Sequence, residues 1–173
     1  MYDMPAERAI ELYMLVDRAG IKIWIDGGWA VDALLGEQTR PHEDLDIVVQ
    51  TSDLPDMLSL FAARGITEAG EDHALPWNFL LRDCANIQVD VHAIEFNTDG
   101  IPIYGAKENA IVYPDLTGHG VIAGHPVRCT TPESLVLYRT GFQLRNRDFH
   151  DVRALCRRFG IELPPEYRQA DRG

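Results

Sequence analysis

Asp44 and Asp46 stand at alternate positions just before an apolar run, Ile47 to Val49. On a strand, residues two apart share a face, so both carboxylates point one way while Leu45 turns to the core. Two such groups about 7 Å apart repel unless a cation lies between them. Hard divalent ions with oxygen ligands suit the pair. Upstream, the apolar stretch Ile21–Ile25 runs into Gly27-Gly28 and then a helical segment from Trp29 to Leu35. A glycine turn feeding a helix N-terminus offers backbone N–H groups to phosphate. The two features together describe a place for a nucleoside triphosphate and Mg²⁺.

A third carboxylate comes from Gln88-Val89-Asp90-Val91-His92, an alternating strand in which Asp90 faces away from Val89 and Val91. A carboxylate in an apolar stretch is costly unless it meets a polar site. Asp44, Asp46 and Asp90 converge if their strands are neighbours, and three carboxylates can hold two divalent ions around a phosphoryl transfer. Otherwise Asp90 is an edge-strand residue facing water. His92 shares the face of Asp90, as acceptor-pocket wall or as a buried, hydrogen-bonded histidine. Arg147-Asp148, at the start of the last helix, offers a guanidinium to phosphate, or a charge pair of Arg147 with Asp148 or Asp151. Asp32 reads as a helix-face residue pairing with Arg40 or a backbone donor. Trp29, Trp77, Tyr104 and Tyr138 are pocket walls or core, while Tyr113, His119 and His125 carry no signal.

The elements that must position these groups alternate. Helical spacing covers 5–19 and stops at Gly20. Strands are expected at 21–25, 46–50, near 66–69, at 77–82 and at 87–94, the last two joined by an Asp83–Asn86 turn. A helix covers 54–63. Residues 97–118 are rich in Gly, Pro, Asn and Asp and read as irregular. Residues 120–123 and 126–129 form a hairpin about Gly124-His125. Thr131-Pro132 starts one helix, a final helix spans 148–159, and the tail from Pro164 is loose. The fold class is α/β (α+β): a small mixed sheet flanked by helices. A catalytic core over 1–130 carries a C-terminal helical segment, 131–173, packed on it as one compact unit.

The chain has 173 residues, 46% of them hydrophobic, and a formal net charge of −11. That charge opposes binding to nucleic acid or an anionic membrane and attracts a small cation. A span of the bilayer and a secretory signal are both missing from the pattern, which implies a cytoplasmic protein. Cys84, Cys129 and Cys156 are odd in number and widely spaced, and read as buried free thiols.

Asp26-Gly27-Gly28-Trp29-x-Val31-Asp32-x-Leu34-x-Gly36-x-x-Thr39-Arg40-x-His42-x-Asp44-x-Asp46 resembles the nucleotidyltransferase superfamily signature, above all that of the lincosamide and aminoglycoside 2″-nucleotidyltransferases. Val89–Ile94 and the run from Gly141-Phe142 to Leu155 are similar to the lincosamide group. Gly120–Cys129 is similar to the aminoglycoside group. The resemblance implies that Asp44 and Asp46 ligate Mg²⁺ and that Asp90 completes the metal site and serves as general base. It implies that Gly27 and Gly28 approach the triphosphate, with Arg40 and His42 beside it and Arg147 near phosphate. Of the residues read above as pocket wall or core, His92, Tyr104 and Tyr138 are the candidates for the acceptor pocket.

The reaction so implied is transfer of a nucleoside monophosphate, AMP from ATP by default, to a hydroxyl of a small amine-bearing antibiotic, with release of pyrophosphate. Acids at Glu68, Glu71, Asp72, Glu95 and Asp99 are available to a cationic sugar or are solvated loop charges. The same fold could instead serve a cellular acceptor, a protein or an RNA end, or act as a non-catalytic nucleotide-binding module. The net charge argues against RNA, and the intact aspartates argue against a dead site. A homodimer is compatible with the sequence.

Overall fold

The computed structural model describes residues 3–70, 75–106, 108–141 and 143–169. Glu71, Asp72 and Phe142, named above, lie outside the described residues. In chain order the elements are α1 (Ala6–Arg18), β1 (Ile23–Ile25), α2 (Gly27–Leu35), β2 (Leu45–Gln50), α3 (Leu54–Ala62), β3 (Thr67–Glu68), β4 (Asn78–Arg82), β5 (Gln88–Phe96), β6 (Pro102–Tyr104), β7 (Ile111–Val112), β8 (Gly118–Ile122), β9 (His125–Cys129), α4 (Pro132–Leu137), α5 (Asn146–Phe159) and α6 (Pro165–Gln169).

One mixed sheet runs β3-β4-β5-β2-β1-β9-β8, with β6 and β7 added beside the end of β5. β2 lies parallel to β5, and β1 parallel to β9; the other pairings are antiparallel. β1 has only three residues, all buried, because Gly27 starts a helix at once.

Strand alternation sorts the side chains onto two faces. Leu45, Ile47 and Val49 of β2, Phe79 and Leu81 of β4, and Val89 and Val91 of β5 join α1, α2 and α3 in the main core. The opposite face carries a second apolar cluster of Trp24, Val48, Ile94, Tyr113 and Leu116. Asp46 and Asp90 belong to that second face, in register with each other across the β2–β5 ladder, with Val48 opposite His92. The stiff, β-branched content of both strands suits this doubly covered position.

Several expectations need correction. Residues 97–118 contain β6 and β7, although Gly and Pro are frequent there, because Ile94 and Glu95 supply a strand edge for Tyr104 and Ile103. The tail is not loose throughout: α6 buries Tyr167 completely, and its ring meets Phe149 edge-on at 5.1 Å. Thr131 occupies the cap position of α4 without a side-chain cap bond. Cys129 and Cys156 are buried thiols, but Cys84 is exposed in the β4–β5 turn. Asp83 builds that turn, its carboxylate accepting the N–H groups of Ala85 and Ile87 at 2.8 and 2.9 Å.

Candidate active site

The turn between β1 and α2 is fixed first. Asp26 is the helix cap, and its Oδ1 accepts the N–H of Gly27 at 2.8 Å. Its own N–H donates to the Asp46 carbonyl at 2.9 Å, tying the turn to β2. Tyr113 donates its hydroxyl to Asp26 Oδ2 at 2.7 Å, and Thr130 donates to Oδ1 at 3.0 Å. Three donors hold this capping carboxylate, and Gly27 and Gly28 of the first turn line the cleft, where a helix N-terminus suits an anion.

Both glycines of the turn are required by their neighbours. Gly27 has φ +60°, and a side chain there would overlap the Asp46 carboxylate. A methyl group on Gly28 would lie 2.5 Å from Arg40 Nη2 and 2.6 Å from His42 Nδ1. The expected approach of backbone to phosphate is thus not the sole constraint at Gly28; the guanidinium and imidazole already occupy the space a Cβ would need.

Behind the turn a polar layer links α2, the loop after it and α5. His42 is buried, its Nε2 2.5 Å from Asp32 Oδ2, and its ring packs on Trp29 with centroids 4.5 Å apart. Thr39 donates to the other Asp32 oxygen at 2.6 Å. Asp32 therefore pairs with His42 and Thr39, not with Arg40 or a backbone donor. Trp29 Nε1 is buried with no hydrogen-bond partner among the described residues. Arg40 makes a bidentate pair with Asp151, Nε and Nη2 each donating at 2.8 Å, and these bonds push its pKa further up. Arg139 Nη2 approaches the same Asp151 carboxylate at 3.8 Å. Such fork-on-carboxylate geometry holds a guanidinium in one orientation.

Asp46 and Asp90 lie in front. Asp46 is half-buried beside Asp44, Asp26 and Asp90; desolvation first, and then their charges, push its carboxyl well above the usual carboxylate range. Burial raises Asp90 as well, opposed by His92. Asn78 on β4 donates to Asp90 Oδ1 at 2.9 Å. Ligand atoms of Asp46, Asp90 and His92 lie within 4.8 Å of one another. Asp44 precedes β2 and lines the same cleft, but it stands outside that tight group. This donor set, carboxylates plus one imidazole in a pocket of like charge, fits a divalent cation.

The cleft has a volume of about 790 Å³, and Gly27, Gly28, Arg40, His42, Asp44, Asp46, His92, Tyr138, Arg139 and Arg147 all line it. Arg147 is exposed at the start of α5; Asp148 and Asp151, the partners considered for it, bind Arg145 and Arg40 instead. Tyr138 is 49% exposed and donates to the Val112 carbonyl at 3.3 Å. Tyr104 packs against His92 and Tyr113, at centroid distances of 5.7 and 5.3 Å. Glu68, Glu95 and Asp99 are exposed and do not line the cleft; its acidic lip is built from Asp3, Glu43 and Asp44.

Sequence reasoning missed Asp26, Tyr113, Thr130, Arg139 and the closing role of Asp151. Asp26 carried a readable signal, as an acidic residue directly before a helix start. Tyr113 and Thr130 reach it from 87 and 104 positions away, and no local pattern announces that.

A family model for aminoglycoside-2″-adenylyltransferase matches residues 9–155, and the chain belongs to that family. It is a nucleotidyltransferase. A lincosamide resistance protein of Staphylococcus haemolyticus is 27% identical over 150 residues, covering 84% of this chain and 92% of that protein. A 2″-aminoglycoside nucleotidyltransferase of Klebsiella pneumoniae is 30% identical over 129 residues, covering 73% and 67%. Two solved structures share the fold. A lincosamide antibiotic adenylyltransferase with lincomycin bound has a TM-score of 0.79 at 23% identity, covering 92% of this chain and 99% of its own. A 2″-aminoglycoside enzyme in complex with adenylyl-2″-tobramycin has a TM-score of 0.70 at 23% identity, covering 96% of each.

Proposed function

We propose that this member of the aminoglycoside-2″-adenylyltransferase family transfers AMP from ATP to a hydroxyl of an amine-bearing antibiotic, a lincosamide first, and releases pyrophosphate. The observation that carries the reading is the register of Asp46 with Asp90 on adjacent parallel strands, beside the Asp26-capped turn at the start of α2. A helix N-terminus on one side and a set of carboxylates on the other support a phosphoryl-transfer reading of the space between them.

Asp44, Asp46 and Asp90 would hold the metal, two Mg²⁺ ions, which would supply charge neutralisation on the triphosphate and polarisation of the acceptor hydroxyl. The first-turn N–H groups after Gly27 orient the triphosphate. Arg40, Arg139 and Arg147 give an acidic protein its local positive wall for the pyrophosphate portion. His42 acts from beneath, holding the Gly28 turn in place. The acceptor oxygen attacks the α-phosphorus, the bond from that phosphorus to the pyrophosphate oxygen breaks, and Asp90 takes the hydroxyl proton. Positioning and fixed charge supply the rest. Tyr138 flanks the acceptor from the cleft wall, and Tyr104 backs the His92 ring.

A second acceptor class has its own support. The lip acids Asp3 and Glu43 favour a polycation, hence an aminoglycoside, whose several ammonium groups gain more from them than the single amine of a lincosamide. The deciding experiment incubates the protein with Mg²⁺, each nucleoside triphosphate in turn and a panel of both drug classes, read by mass spectrometry. The expected outcome is the mass of one AMP added to a lincosamide. An adduct on aminoglycosides alone moves the assignment to the second class. No adduct on any drug, with pyrophosphate released only when cell extract is added, assigns a cellular acceptor.

A further inference from the structure

We propose that His92 is a direct ligand of the metal held by Asp46 and Asp90, so that this centre takes Mn²⁺ or Co²⁺ more tightly than Mg²⁺. The inference rests on the reading of those aspartates as the metal centre and specifies its chemistry. Three observations carry it. Parallel pairing sets Asp46 beside Asp90 and Val48 beside His92, so the imidazole follows the two carboxylates on one face. The three ligand atoms are mutually within 4.8 Å. Ligands held about 2.0–2.2 Å from one ion are themselves roughly 3–4 Å apart, so small side-chain rotations close the set.

The imidazole is also placed rather than merely near. Its Nε2 is 3.8 Å from Asp90 Oδ1, too long for a hydrogen bond that would consume it. Tyr104 and Tyr113 confine the ring, at centroid distances of 5.7 and 6.0 Å. Tyr113 is itself anchored to Asp26, so the packing that orients the imidazole continues into the nucleotide turn. Carboxylates and water suit Mg²⁺, whereas imidazole adds affinity for first-row transition ions. A ring serving only to balance charge on Asp90 would sit in the same place and would leave the metal preference unchanged.

Pulsed electron paramagnetic resonance of Mn²⁺ bound to the full chain, with a non-hydrolysable ATP analogue present, separates these roles. Direct ligation predicts nitrogen-14 modulation from the imidazole in the unaltered protein. In His92→Gln that modulation disappears, and Mn²⁺ binds about 10-fold more weakly or worse while Mg²⁺ affinity changes little. Mn²⁺ bound without nitrogen coupling, or coupling that survives in His92→Gln, overturns the inference while leaving the aspartate centre standing. Mn²⁺ binding that is undiminished in Asp46→Asn overturns the aspartate centre and the inference with it. The measurement on the unaltered protein needs no variant to fold.

Discussion

The two faces of the sheet are made by the same strands and do opposite work. Toward the helices, Leu45, Ile47 and Val49 of β2, Phe79 and Leu81 of β4, and Val89 and Val91 of β5 form an apolar face sealed by α1, α2 and α3. Toward the cleft, those strands present Asp46, Asp90, His92 and Asn78, with a small apolar cluster around Trp24 and Val48 beside them. One residue of register separates the fully buried Ile47 from Asp46, a carboxylate crowded by three others. The lesson is that β2 and β5 are rigid because one face is packed solid, and the other face can therefore hold charges that repel. Stability and chemistry are divided by strand alternation rather than by domain.

That division has consequences of different size on each side. Asp46→Asn should lower kcat by roughly 10³-fold or more, because charge stabilisation of the transferring phosphoryl group is lost. In metal-free buffer its melting temperature should stay unchanged or rise, since one charge leaves a cluster that also contains Asp26, Asp44 and Asp90. Steady-state rates with thermal melts check both halves; a variant that loses activity by unfolding would break the comparison. Leu81→Ala, on the sealed face, should cost about 2–5 kcal/mol of stability through transfer and cavity terms. Below its melting transition it should keep KM for both substrates, measured beside denaturant titration. A large KM change would show that the packed face feeds directly into the site.

The smallest effect sharpens the boundary. Tyr113 belongs to the apolar cluster through its ring and to the active site through its hydroxyl. Burial and the Asp26 carboxylate push that hydroxyl's pKa well up, so it stays protonated and donating. Tyr113→Phe leaves the cluster packed and removes one donor from Asp26, at a cost of about 1.5 kcal/mol. The expected result is a several-fold rise in KM for the nucleotide with KM for the acceptor nearly unchanged. Equal changes in both would place Tyr113 in packing alone.

How much of this is legible from residues alone depends on sequence distance. The turn at Gly27-Gly28, the two central strands and the β4–β5 hairpin follow from spacing over fewer than ten residues, and they fall where expected. The facing of Asp46 and Asp90 required knowing that β2 pairs with β5, which periodicity does not encode. β6 and β7 escaped notice because pairing with β5, rather than propensity, makes them strands. The same limit hid the Arg40–Asp151 pair, whose members are 111 residues apart, and the burial of Tyr167 under a segment that reads as polar.

That last pair also bears on how the molecule comes into being. The three aspartates and the glycine turn are synthesised before β9, which flanks β1, and before Asp151, which clamps Arg40. A nascent chain thus exposes a cluster of repelling acids and an open strand edge at β1 before it owns the parts that close them. Contacts of such long sequence separation make folding slow, and unpaired edges invite misassembly meanwhile. Yield of active protein should therefore depend on translation speed and temperature more steeply than the melting temperature of the finished enzyme would suggest.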